Sequence, residues 1–157
     1  MDIVNIVSAE HIEVFSKLAI ALLLGMSLGI ERAIAGKTAG MRTYGLVTMG
    51  SALLAMIGVF IGGGFGSPTA LTESIRFSAQ IITGIGFIGA GLIFIKGADV
   101  SGVTTAAGLW VSAGVGIAVG YSFYTLAIVT TVLAILTFTF FWYVEDRLKA
   151  MVRHELE

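Results

Sequence analysis

The sequence predicts an all-α fold: a polytopic membrane helix bundle with five transmembrane helices. Three observations predict it. Hydrophobic residues make up 57% of 157 and charged residues only 12%, about half the share usual in a soluble domain. The hydrophobic residues gather into long runs parted by short polar or glycine-rich breaks. One proline accompanies 21 glycines, odd for a soluble chain but ordinary where glycines let membrane helices approach closely.

The runs place spans at about 9–30, 43–61, 74–95, 104–120 and 125–144 within a single domain over residues 1–157. A span needs about 20 predominantly apolar residues, each rising about 1.5 Å. Span one is entered at Ser8 as helix cap, with Glu10, His11, Glu13 and Lys17 in its first turns near an interface. Ala21, Gly25 and Gly29 then recur every four residues as a close-packing seam. A polar loop follows with Glu31, Arg32, Lys37 and Arg42, broken by Gly36 and Gly40. Span two is kept slim by Gly45, Gly50, Ala52, Ala55 and Gly58 and ends at the turn cluster Gly62–Pro68.

Span three runs Arg76-Phe-Ser-Ala-Gln80-Ile-Ile-Thr-Gly-Ile-Gly-Phe-Ile-Gly-Ala-Gly-Leu-Ile-Phe-Ile95. At about 100° per residue it splits into faces. Ile81, Ile85, Ile88, Leu92 and Ile95 form one oily stripe, expected to face lipid. Arg76, Gln80, Thr83, Phe87, Gly91 and Phe94 line the opposite side, and Glu73 shares it one turn earlier. The expectation is that this polar edge turns inward, making an intramembrane site of Arg76, Gln80, Thr83 and Glu73. Gly84, Gly86, Gly89 and Gly91 would serve helix packing.

Lys96–Gly102 is a second short polar loop. Span four repeats the seam with Gly108, Ser112, Gly116 and Gly120. Thr104 and Thr105 are read as its caps, with a polar lining role left open, and Trp110 lies mid-span. Span five ends in Phe138, Phe140, Phe141, Trp142 and Tyr143, an aromatic belt at a headgroup boundary. The charged tail after Val144 is short, and no C-terminal soluble domain is expected.

Basic residues set the orientation. Arg32, Lys37, Arg42, Lys96, Arg147, Lys149 and Arg153 fall on one side, Lys17 and Arg76 on the other. That places the C-terminus in the cytoplasm and the N-terminus outside. Met1 to Ser8 lacks a basic stretch ahead of an apolar core, so no signal peptide is expected.

Charges within spans are costly, about 2.5–3.5 kcal/mol each at a helix centre, and persist when paired or functional. On the cytoplasmic side Glu31, Arg32, Arg42 and Thr43 form a candidate charge lock, with Glu31 paired to Arg42 across the loop. The competing reading has Arg32 and Lys37 simply reaching to headgroups.

Several function classes drop out. A net charge of −1 argues against a nucleic-acid partner. With no cysteine there is no thiolate metal site or thiol chemistry. His11 and His154 fall on opposite sides and cannot share a zinc ion. Glu31, Glu73 and Asp99 are isolated, so magnesium association is conceivable but no site for it presents itself. No nucleophile–base set appears, so no enzyme and no cofactor is expected.

Four segments, in order, resemble the MgtC/SapB family of bacterial inner-membrane proteins. They are Gly29-Ile-Glu-Arg32, Ala39-Gly-Met-Arg-Thr43, Arg76-x-x-Ala-Gln80 running into Gly84–Gly91, and Gly102-Val-Thr-Thr-Ala-Ala107 with Trp110. By position Glu31, Arg32, Arg42, Thr43, Arg76, Gln80 and Trp110 match the family's pattern. The resemblance implies a role in adaptation to low magnesium and, in pathogens, survival inside host cells. It implies modulation of other membrane proteins, including the proton-driven ATP synthase, more than carriage of magnesium. Where the family often has Asp-Pro ahead of the span-three arginine, this chain has Glu73-Ser74.

Two functions follow as expectations. One is a regulatory protein of the bilayer that binds other membrane proteins and forms a homodimer. The other is a transporter or channel for magnesium or another small ion or polar solute, with Arg76, Gln80 and Thr83 lining a path. An arginine in that path repels cations, which weighs against magnesium conduction.

Overall fold

The computed structural model describes residues 3–155 apart from residue 98. In order they form α1 (Ile3–Ile34), α2 (Met41–Ile61), α3 (Pro68–Ala90), a hairpin of β1 (Phe94–Lys96) and β2 (Asp99–Ser101), α4 (Val103–Gly120) and α5 (Tyr124–Glu155). Within α1, α2, α4 and α5, the segments Glu10–Ile34, Met41–Ile61, Val103–Gly120 and Tyr124–Glu145 are long and apolar enough to cross a membrane. Helix α3 is not among these segments. Its composition explains why: Glu73, Arg76 and Gln80 dilute its isoleucines.

Helix ends follow local chemistry. Ser67 precedes α3 in an extended conformation and Pro68 opens it, where a missing N–H costs nothing. Gly63, Gly64 and Gly66 take the left-handed turn ahead of it, with φ of 91°, 86° and 93°. Gly102, at φ 90°, caps α4. Thr104 and Thr105 therefore lie inside α4 and do not cap it. Likewise α1 begins at Ile3, so Ser8 is a helical residue.

The third span is shorter than the sequence suggests. Helix α3 stops at Ala90, and the chain folds into an antiparallel hairpin pairing Phe94 with Ser101, Ile95 with Val100 and Lys96 with Asp99. Gly97, at φ 64°, makes the turn. The aromatic and β-branched residues flanking a glycine favour strands over another helical turn.

Helix α2 is the hub, touching α1, α3 and α4. Both small-residue seams close onto it. Cβ atoms added at Gly25 and Gly29 of α1 would fall 2.3 Å from Thr48 Oγ1 and 2.5 Å from Met41 Cα. Those added at Gly108, Gly116 and Gly120 of α4 would fall 2.3 Å from Tyr44 Oη, 2.1 Å from the Thr48 carbonyl oxygen and 2.7 Å from Ala55 Cβ. The order of these contacts shows that α4 runs parallel to α2 and that α1 runs against both. Gly58 facing Phe77, and Gly62 facing Ala70, make α3 antiparallel to α2. One end of the bundle carries Lys17 and Phe65; the other carries Arg32 and Phe138.

The core is built from Leu28, Tyr44, Leu109 and Phe138 toward the second end and from Ala21, Ala52, Val115, Val119 and Ala127 toward the first. Ile81 and Ile85 of α3 pack on Ala113 of α4.

Candidate functional site

Four groups of polar residues hold the sites expected from the sequence and their surroundings. In the first, at the centre, Thr48 and Ser112 share a hydrogen bond of 2.5 Å between α2 and α4. Thr48 also donates to the Tyr44 carbonyl oxygen at 2.8 Å, and Tyr44 Oη donates to the Thr105 carbonyl oxygen at 3.2 Å. Tyr44, Thr48 and Ser112 are all fully buried. Each hydroxyl is satisfied, as burial demands, and the group ties α4 to α2 and leaves no open polar channel there.

The second group lies at the Arg32 end. Arg32 is 4% exposed, stacks its guanidinium on the Phe138 ring at 4.1 Å and pairs with Glu31. A guanidinium on an aromatic face is favoured by the ring's negative surface, more so when water is excluded. This corrects the expected lock. Glu31 is held by Arg32, its chain neighbour. Arg42 is exposed, and no ion pair joins it to Glu31 among the described residues. Arg42 lies in the first turn of α2 on its outer side, together with Leu46 on the same face. Thr43 is partly buried beside it. Of the tail's basic side chains, Arg147 reaches Tyr143 Oη; Lys149, Arg153 and His154 lie outside the described side chains.

The third group lies at the opposite end, where the sequence marked Glu13 and Lys17 only as residues near an interface. Lys17 is 3% exposed, pairs with Glu13 at 2.7 Å and lies over the Phe65 ring at 5.1 Å. The signal for it was the Glu–Lys spacing of four on an otherwise apolar helix. The ring of Phe65 comes from the glycine-rich turn, so that loop folds back over α1.

The fourth group is on α3, and here the expected faces are reversed at Ile81 and Ile85, whereas Ile88 and Ile95 are exposed as expected. Ile81 and Ile85 are 8% and 6% exposed and belong to the core. Gln80, Thr83 and the Arg76 side chain, 73% exposed, point away from the bundle. Arg76 pairs with Glu73 one turn back at 3.3 Å, and Thr83 turns its hydroxyl back to the Ala79 carbonyl oxygen. The reason is packing: α3 approaches α4 at Ala113 and at Ala106, small residues that admit isoleucine and the Gly89 backbone. Arg76 and Gln80 do border a groove of about 620 Å³ between α2 and α3, whose walls include Leu46, Gly50, Ser51 and Gly84. Its lining is mainly aliphatic.

The helix-contact glycines divide accordingly. Gly25, Gly29, Gly89, Gly108 and Gly116 meet neighbouring helices, whereas Gly84 and Gly86 have nothing within 4 Å of an added Cβ. Gly91 meets only the end of its own helix, which it caps. Thr105 is buried and lends its carbonyl to Tyr44, while Thr104 and Trp110 are on the outside of α4. No group of three or more His, Cys, Asp or Glu able to hold a metal ion is found among the described residues.

A helical membrane protein is what these long apolar helices and internally satisfied polar groups define. The chain belongs to the MgtC family, whose profile matches residues 18–147. It is 36% identical over 140 residues to the Escherichia coli K12 protein "Putative magnesium transporter YhiD", covering 87% of this chain and 64% of that one. It is 36% identical over 132 residues to Protein SapB of Bacillus subtilis, covering 82% of this chain and 56% of that one. Against Protein MgtC of Brucella abortus it is 44% identical over 118 residues, 75% of this chain and 47% of that one. The chain thus spans about half to two thirds of the length of these relatives. No solved structure matches it.

Proposed function

We propose that this is a protein of the bacterial inner membrane that serves magnesium homeostasis by modulating other membrane proteins, not by carrying the ion itself. In this reading it crosses the bilayer five times, with its N-terminus outside and its C-terminus in the cytoplasm. It is not an enzyme.

The observation that carries the reading is the closed centre of the bundle. Gly116 lies against the Thr48 carbonyl, and the Tyr44, Thr48 and Ser112 hydroxyls are consumed within the protein. A magnesium path would need several oxygen ligands or waters around a hydrated ion. Family membership, together with the names of the Escherichia coli and Brucella relatives, supports the link to magnesium. For the regulated partner, the resemblance points to other membrane complexes, the proton-driven ATP synthase among them. The broad apolar outer face of α5, with Val132, Leu133, Leu136 and Phe140 exposed, offers surface for lipid or for such a partner.

A second reading has one specific observation behind it. The groove beside Arg76 and Gln80 could admit a solute, and the Escherichia coli relative is named a transporter. An exposed guanidinium there suits an anion or neutral polar molecule better than a cation. Two assays separate the readings. Growth of a deletion strain at low magnesium reports function, and ion uptake into proteoliposomes reports transport. Restored growth without uptake favours modulation; uptake that disappears with Arg76→Ala favours transport.

A further inference from the structure

We infer that the exposed polar face of α3 is covered by a second copy of the same chain, packed about a two-fold axis that runs along the helices. Helix α3 presents two unlike sides. Ile81 and Ile85 are spent on the bundle, and what remains outward is Arg76, Gln80, Thr83 and Phe87, with Glu73 beside them. The outer face of α5 shows the contrast: Leu126, Val129, Val132, Leu133 and Leu136 are exposed there, as lipid contact requires. Hydrocarbon offers the exposed Gln80 amide nothing to bond, and the exposed Arg76 guanidinium has only Glu73 as an ion-pair partner among the described residues. The stripe is also what keeps α3 out of the set of helices apolar enough to span by themselves.

The chemistry of the face favours a copy of itself over a dedicated partner. A two-fold interface must be complementary to itself, bringing each group close to its own counterpart at the same depth. This stripe contains one acid and one base within 3.3 Å of each other, so a second stripe can exchange partners without leaving net charge. Gln80 carries both a donor and an acceptor, and two such amides can bond each other. Shape repeats the theme. Phe87, 83% exposed, is a knob. Gly84, three residues back beside it and with open space where a Cβ would be, is the adjoining hollow. Knob and hollow on one face are what an isologous contact uses, and small residues let the two backbones close. The inference does not depend on whether the protein transports anything.

Cysteine cross-linking in native membranes tests it, since the sequence contains no cysteine to interfere. Thr83→Cys and Gln80→Cys sit on the stripe, and Leu133→Cys on the outer face of α5 is the control. A disulfide forms only where Cα atoms come within about 7 Å. The expected result is a band of two chains from at least one stripe variant, and about tenfold less from the control at equal expression. Gly84→Leu, introduced where the protomer has room, should leave a folded, monodisperse protein in mild detergent but shift its mass from two chains to one. The inference is overturned if neither stripe cysteine yields a two-chain band, or if the control cross-links as well. It is equally overturned if the stripe cysteines link only to a different protein, or if Gly84→Leu leaves the two-chain mass unchanged.

Discussion

Gly116 and Thr48 bring α4 and α2 together backbone to backbone: a Cβ on Gly116 would lie 2.1 Å from the Thr48 carbonyl oxygen. That contact closes the middle of the bundle. It also ranks the glycines by what a methyl group would do. Gly116→Ala must push α4 off α2, and overpacking of this kind costs about 1–3 kcal/mol or more. Gly50 faces open space, so Gly50→Ala should be neutral or slightly stabilising through better helix propensity. Thermal unfolding of the detergent-solubilised protein, followed by size-exclusion chromatography, should show Gly116→Ala clearly less stable than Gly50→Ala.

Arg32 is held by a ring and a carboxylate at a place almost closed to solvent. Losing its stack on Phe138 and its pair with Glu31 should cost about 2 kcal/mol or more, since both lie in a water-poor site. Arg32→Met is therefore expected to melt well below the parent. Removing the stranded carboxylate as well, with Glu31→Gln, should recover part of the loss. Arg42→Ala should stay within about 0.5 kcal/mol of the parent, as exposed residues without partners do. A charge exchange of Glu31→Arg with Arg42→Glu should rescue nothing. Thermal melts of the set check all four expectations.

The central hydroxyls give a graded series. Tyr44→Phe removes one hydrogen bond to the Thr105 carbonyl and should cost about 1 kcal/mol. Ser112→Ala removes the bond shared with Thr48 and a longer one from Ser112 Oγ to the Tyr44 carbonyl at 3.3 Å, but Thr48 can still donate to that carbonyl, so its cost should be similar. Thr48→Val removes both bonds at similar shape and should be the most damaging of the three. Chemical or thermal denaturation in detergent orders them.

At the other end, Lys17→Met deletes the ammonium beneath Phe65 and frees Glu13 to solvent, since Glu13 is itself exposed. The change should be mild in the bundle but should loosen the Gly62–Ser67 turn. Limited proteolysis reads this directly: cleavage in that turn should speed up several-fold in Lys17→Met and remain slow in Lys17→Arg, which keeps a cation over the ring.

Much of the fold was legible because membrane helices announce themselves. Long apolar runs with glycine breaks located α1, α2, α4 and α5, and the four-residue spacing in α1 and α4 identified two seams that do close onto α2. What the sequence could not supply was the sign of α3's two faces. Periodicity separates Ile81 and Ile85 from Arg76 and Gln80, but either side can face inward when lipid is apolar too. The choice was made by Ala106 and Ala113 of α4, which are distant in sequence and receive the isoleucine side. The end of α3 was missed for a local reason. The run through Leu92 to Ile95 continues the apolar pattern, yet its strand-forming residues around Gly97 prefer a hairpin. Glu31 was assigned the wrong arginine because a loop of unknown path left Arg42 as near, on paper, as Arg32. The Lys17 pair was readable by spacing alone, but its cover by Phe65 depends on where the glycine turn folds.

The most direct test of the closed bundle is magnesium entry into proteoliposomes containing the purified protein and a trapped magnesium-sensitive dye. The account predicts entry no faster than in protein-free vesicles, from a preparation whose gene still restores growth at low magnesium. Protein-dependent entry that saturates with magnesium and stops when Thr48 or Ser112 is altered would contradict it.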